Sequence, residues 1–258
     1  ARYGLACGCS RTDAVGRLYE GGEMLKRDPA RAVAYFEHGA RMGSVLAAYA
    51  LGVVHSERAS KASTSDAARA AAQLATRYFL QAARSGHAPS AYNMGIRYLE
   101  RPSTGEQAIT PEDHQRQFGV VADDRSAREW LGAAASKSRC GLWRARLTAD
   151  FLPAMMNLGT MLVEGRGRPA EDKTPTREEL ERAKELYEKV LLLTARLQKR
   201  REQAALPATG DATPEVLQHM SAMAKRMLER VETLLARTTA AEPTDASFRS
   251  NWPSCTVM

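Results

Sequence analysis

Two short patterns alternate along most of this chain, and such a repeat narrows the possible architectures more than any single motif, because each unit must pack on its neighbours. The first pattern is a small-apolar core ending in glycine, with a bulky residue three positions on. It reads Ala14-Val15-Gly16 with Tyr19, Ala50-Leu51-Gly52 with His55, Asn93-Met94-Gly95 with Tyr98, and Asn157-Leu158-Gly159 with Leu162. The second is an alanine, a bulky pair and a small pair, often closed by glycine. It reads Ala32, Tyr35-Phe36, Gly39-Ala40, Gly43, and then Ala75, Tyr78-Phe79, Ala82-Ala83, Gly86. A third copy is Ala127, Trp130-Leu131, Ala134-Ala135, Ser138, and a degenerate fourth is Ala183, Leu186-Tyr187, Val190-Leu191, Thr194.

Both patterns place apolar or small residues at i, i+3, i+4, i+7 and i+8, which is one face of an α-helix. Small residues let two helices approach closely while the bulky pair fills the groove beside them. A glycine inside a helix costs about 1 kcal/mol relative to alanine, so its return at one position points to a packing requirement. Each unit therefore reads as a helical hairpin that buries its apolar face only when stacked. The abundance of Ala, Leu, Arg and Glu agrees, since these residues lose little rotamer freedom in helices. Aromatics are only 6% of the chain.

On these residues the chain resembles the Sel1-like repeat family, relatives of the tetratricopeptide class. That family reads approximately A-x-x-x-L-G-x-x-Y-x-x-G-x-G-V-x-x-D, then A-x-x-W/Y-Y/F-x-x-A-A-x-x-G. The fourth unit matches the loop part through Asn157-Leu158-Gly159, Leu162, Gly165-Arg166-Gly167 and Asp172, and the first through Gly16, Tyr19, Gly22, Asp28 and Ala32. The third departs most: Arg101 to Asp123 replaces the short loop and Ser138 the closing glycine. Successive marker glycines are 36, 43 and 64 residues apart, and only the first spacing is near the family's usual period. The resemblance covers about residues 11 to 195. It implies an all-α fold, a right-handed α-solenoid of about four hairpins, with units at about 11–43, 44–88, 89–138 and 151–204 within a solenoid of 11–204.

Boundary signals fit this division. Asp28-Pro29 sets an acceptor before a proline at the first helical position. Thr176 with Glu179 is a capping-box pattern ahead of a long helix from Arg177 to about Ala204. Thr213-Pro214-Glu215 opens a last helix, 214–238, whose stripe of Val216, Leu217, Met220, Met223, Met227, Val231, Leu234 and Leu235 reads as a cap on the final apolar face. Linkers are expected at Arg101 to Thr110, Arg139 to Asp150 and Pro207 to Thr213, with one short extra helix starting at Thr110-Pro111, and an extended tail over 239–258.

No motif of catalysis stands out. Gly165-Arg166-Gly167 lacks the preceding strand and the Gly-Lys-Ser/Thr ending of a phosphate-binding loop, and the repeat accounts for its glycines as turn residues. The five histidines, His38, His55, His87, His114 and His219, show no i, i+4 pair and no zinc-ligand spacing. No Ser or Cys nucleophile can be paired with a base from local sequence. The expectation is a non-enzyme with no cofactor, no metal and no small-molecule substrate. No apolar run approaches the roughly 20 residues of a membrane-spanning helix.

Charge leaves two readings open. The chain carries +7, with an isoelectric point near 9.4, which favours acidic partners without identifying one. Lys137, Arg139, Arg144 and Arg146 surround Trp143, and no acidic residue lies between Glu129 and Asp150. Arg196, Lys199, Arg200 and Arg201 form a second cluster near the end of the long helix. Both read either as solvated segments, the helix-end cations complementing the dipole, or as contacts for RNA or an acidic protein.

Cys7, Cys9, Cys140 and Cys255 show no disulfide framework, so free thiols in a reducing intracellular compartment are expected. The first residues are Ala1-Arg2-Tyr3, which a removed transit peptide would explain, as would trimming; a mitochondrial location is expected slightly ahead of a cytoplasmic one. The ending Cys255-Thr256-Val257-Met258 fits a farnesylation signal, but a single chain binds membranes weakly and the segment lacks a polybasic second signal. Sel1-like proteins typically serve as adaptors or architectural subunits. The resemblance thus implies a non-catalytic adaptor or subunit of a larger assembly, binding other proteins through the solenoid groove and the insertions at Arg101 to Asp123 and Arg139 to Asp150. The alternatives are an RNA-contacting subunit of a ribonucleoprotein such as an organellar ribosome, and a farnesylated signalling adaptor.

Overall fold

The computed structural model describes Gly16 and residues 28–99, 110–136, 152–169, 171–204 and 213–241. Among the described residues every regular element is an α-helix. They are α1 (Pro29–Arg41), α2 (Val45–Lys61), α3 (Ser65–Arg84), α4 (Ala88–Tyr98), α5 (Pro111–Phe118), α6 (Asp124–Ala135), α7 (Leu152–Val163), α8 (Arg177–Ala204) and α9 (Pro214–Ala241).

Local chemistry sets these boundaries. Asp28 accepts from the Arg31 N–H (3.0 Å), with Pro29 in the first turn of α1. Ser44, Thr64, Thr110 and Thr213 cap α2, α3, α5 and α9 through the same i, i+3 bond. The capping box at α8 is reciprocal: the Glu179 N–H donates to Thr176 Oγ1 (3.2 Å) and the Thr176 N–H to Glu179 Oε2 (2.9 Å). Helices α1 and α3 stop in the same way. Gly43 and Gly86 adopt φ of 85° and 83°, and the following Ser44 and His87 N–H groups reach back to the carbonyls of Gly39 and Ala82. Only glycine takes that backbone without strain. The return is so tight that Ser44 and His87 begin the next helices.

Each helix packs on the next, α1 on α2, α2 on α3, α3 on α4, and α6 through α9 in the same order. The exception is the third unit, where α4 packs on α6 while α5, inserted between them, lies against α3. The hairpins are therefore α2–α3, α4–α6 and α7–α8, and α1 meets Gly16 through Phe36. The apolar interior is continuous along this stack. Ala82 of α3 joins the cluster of Phe36 and Leu51, Ala154 of α7 joins that of Phe79 and Met94, and a third runs from Leu131 to Val231 of α9. This is an all-α solenoid closed by a terminal helix.

Helices α8 and α9 are an antiparallel pair, with Lys184 near the start of one bonded to Glu232 near the end of the other (3.3 Å). Leu180, Ala183, Tyr187, Val190 and Thr194 are buried on α8, in the 3–4 spacing of a coiled-coil seam. On α9 the fully buried row is Leu217, Ala224 and Val231, flanked by the partly buried Met220, Met227, Leu234 and Leu235. Val216 and Met223 remain exposed. They differ from the sequence reading because a seven-residue seam is narrower than the stripe of a helix buried on a broad face. Helix α9 continues to Ala241, past residue 238, through Ala-rich sequence that favours helix.

Candidate functional site

At each of the four marker glycines a side chain of another helix sits directly against the bare backbone. A Cβ built on Gly52 would stand 2.6 Å from the Phe79 ring, on Gly159 2.7 Å from Tyr187, on Gly95 2.6 Å from Leu131, and on Gly16 2.5 Å from Phe36. The partner is in every case the second residue of the bulky pair. Those four side chains are buried to within 1% or better, whereas Tyr35, a first member of the pair, is 38% exposed. The requirement is steric, since none of the four has a positive φ. Gly165 and Gly167 do (φ 63° and 79°). They shape the turn after α7, with no strand beside them among the described residues.

That turn is fixed by charge. Arg166 makes a two-pronged bond to Asp124 (2.8 Å each). Arg168 reaches both Asp172 and Glu179 (2.7 Å each), and Arg128 of α6 also pairs with Glu179. Burial acts to raise the Glu179 pKa, but the Thr176 N–H and the two guanidiniums outweigh it and hold the carboxyl at about 2. This network engages Arg166, Arg168 and Asp172 of the fourth loop and clamps α6 to α8.

Two polar groups lie deep between repeats. His87 is buried, and its Nδ1 accepts the Ser90 N–H (3.3 Å), capping α4, with Ser90 Oγ 2.8 Å away. The Tyr49 ring lies 4.8 Å from it. Burial lowers its pKa to about 4. Arg97 of α4 is 7% exposed. Its guanidinium sits 5.1 Å over the Phe79 ring and donates to Ser56 Oγ (2.5 Å), the Phe118 carbonyl (3.0 Å) and Thr76 Oγ1 (3.4 Å). No carboxylate pairs with it among the described residues, and burial lowers its pKa to about 10. Sequence reading missed Arg97. The signal was there: two residues after each other marker glycine stand Leu18, Val54 and Met161, all apolar.

Arg196, Lys199 and Arg200 are exposed near the end of α8, and Arg201 is partly buried. The Glu215 carboxyl at the start of α9 is lowered by its own N–H, by the Thr213 hydroxyl and by the Arg201 charge. Lys137, Arg139, Trp143, Arg144, Arg146 and Cys255 lie outside the described residues. The insertion expected to make partner contacts is partly interior: His114 of α5 is 2% exposed, with Nε2 2.8 Å from the Arg97 carbonyl. Among the described residues no three His, Cys, Asp or Glu side chains converge on a metal position, and no helix is long and apolar enough to cross a membrane.

A family model described as Sel1 repeat matches residues 14–44, 45–87, 114–138 and 152–189, more than half of the chain. Its third match begins inside α5 and omits α4, the helix that carries Gly95, as the inserted segment would cause. A Sel1 repeat protein from Oxalobacter formigenes has a similar solved structure, with a TM-score of 0.50 and 17% identity. That likeness covers 85% of this chain and 88% of the other and concerns the fold. A protective antigen of uropathogenic Escherichia coli displaying an SLR fold is 18% identical at a TM-score of 0.30, over 91% of this chain and 49% of its own. None of the curated proteins compared with the chain matches it.

Proposed function

The chain belongs to the Sel1 repeat family, and from that footing we propose that it is a non-catalytic adaptor or architectural subunit that holds other proteins together in a larger assembly. Sel1 repeat proteins generally mediate protein–protein interaction. The observation that carries the reading is the use made of the repeat residues. Gly52, Gly95 and Gly159, with Phe79, Leu131 and Tyr187, are consumed in joining helices, which leaves the helix faces and the inserted segments to meet partners. Solenoids present such surfaces over a long span, and inserted segments map to loops, often on a binding face. Deleting residues 139–150 is the test. Helical circular dichroism is expected to persist while crosslinked partners are lost; undiminished partner capture would contradict the role given to that insertion.

A second reading, contact with RNA, is favoured by the exposed Arg196, Lys199 and Arg200, three residues on one face of α8. It requires an affinity that falls steeply with added salt as counterions are released. Absence of RNA binding at low salt removes it.

A further inference from the structure

A cavity of about 420 Å³ opens between α2, α3 and α5, with Arg97 in its wall. Its other lining includes Ser56, Ser60, Asp113, Arg116 and Phe118. The volume falls in the range of small-ligand sites, roughly 300–1,000 Å³. Three observations bear on what would enter it. Arg97 is almost fully removed from water, yet among the described residues its guanidinium meets only neutral acceptors, the Ser56 and Thr76 hydroxyls and the Phe118 carbonyl. Nη2 has a single acceptor, Ser56 Oγ, so its second N–H is not spent on the described residues. The Arg116 Nε is also buried and has no acceptor among them. A buried cation without a counter-charge among the described residues is costly, and a carboxylate beside Arg97 would relieve that cost.

We propose that this cavity is a carboxylate-binding site, filled by an acidic side chain or chain end of a partner protein. The planar guanidinium matches a carboxylate's two oxygens. Asp113 stands on the rim, where Arg116 Nη1 holds it at 2.5 Å. That fixed negative charge disfavours a dianionic phosphate more than a singly charged carboxylate. The Phe118 carbonyl ends α5, and with the Asp113 charge it sets a limit on how much negative charge the site accepts. The protein class of partner rests on the adaptor reading; the ligand chemistry does not.

The test uses the full chain and follows the Arg97 side-chain N–H resonance in solution. N-acetylglutamate methylamide carries a side-chain carboxylate and N-acetylalanine a terminal one; either is expected to give a saturable shift. The neutral glutamine counterpart and chloride at equal ionic strength are expected to give none. Arg97→Lys, which keeps the charge but loses the fork, is expected to weaken binding at least about tenfold. Should that variant fail to fold, Arg116→Gln on the rim decides, read by the chemical shifts of nearby backbone amides. Equal shifts from the glutamine compound, or tighter binding of inorganic phosphate, overturn the proposal. If acidic proteins crosslink equally well to wild type and to a folded Arg97→Lys chain, the site fails while the adaptor reading stands. If the small carboxylates bind but no protein partner is found, the adaptor reading fails and the site stands.

Discussion

Replacing Phe79 with alanine is expected to destabilise the folded chain by about 3–5 kcal/mol, the usual loss for a buried phenyl ring. The ring is 1% exposed and is the joint of the second hairpin, seated against Gly52. It also packs on Tyr49, at a centroid distance of 6.0 Å, and lies under the Arg97 guanidinium. Truncation opens a void that backbone glycine cannot fill and leaves the cation facing that void. Because stacked repeats interact mainly with their neighbours, the loss should be greatest near the mutation. Denaturant titration gives the total, and hydrogen exchange its location, with amides of α2 and α3 losing most protection. A cost below about 1 kcal/mol would mean that the ring is not a joint.

Acidification is expected to remove about 3 kcal/mol of stability between pH 6.5 and pH 4, through His87. Burial holds the folded pKa at about 4 against an ordinary 6.5, so the unfolded chain takes up a proton that the folded one refuses. The stabilisation is complete above pH 6.5 and is lost as pH falls towards 4. The geometry gives the same sign: Nδ1 is the acceptor that caps α4, and a proton there would abolish the cap. His55, also lowered by burial and by the Arg58 charge, against an opposing effect of Glu37, contributes in the same direction. The Glu179 network acts in a lower window, fading as pH falls from the ordinary carboxylate range towards 2. Thermal melts of wild type and His87→Asn separate these contributions, since Asn keeps a capping oxygen but does not titrate. The variant is expected to show a shallower loss above pH 4; an unchanged slope would contradict this assignment.

Much of the fold was legible because its determinants are local and repeated. The glycine and the bulky pair recur in register, and caps such as Asp28 and Thr176 act within one helical turn. What periodicity does not encode is the choice between neighbouring stripes on a helix, which depends on the partner. Hence Ala224 is buried and Met223 exposed, although Met is the more apolar residue. The third unit was harder for the same reason: α5 is placed by distant contacts, such as the Thr76 hydroxyl donating to the Phe118 carbonyl (2.6 Å). The basic clusters were legible as composition only. Arg97 was legible only by comparing units position by position, and the hydroxyls and carbonyl that surround it come from three other helices.

Matched glycine-to-alanine substitutions at Gly52 and Gly132 test the central claim, that a side chain of one helix seats in a glycine of the other. Both residues lie inside helices, and helix propensity alone would make both changes stabilising by up to about 1 kcal/mol. At Gly132 a new Cβ meets nothing within 4 Å, so Gly132→Ala should realise that gain. At Gly52 it meets the hemmed-in Phe79 ring, and Gly52→Ala should lower stability by about 1–3 kcal/mol. Denaturation midpoints moving in opposite directions are the predicted result; two increases of similar size would contradict the account.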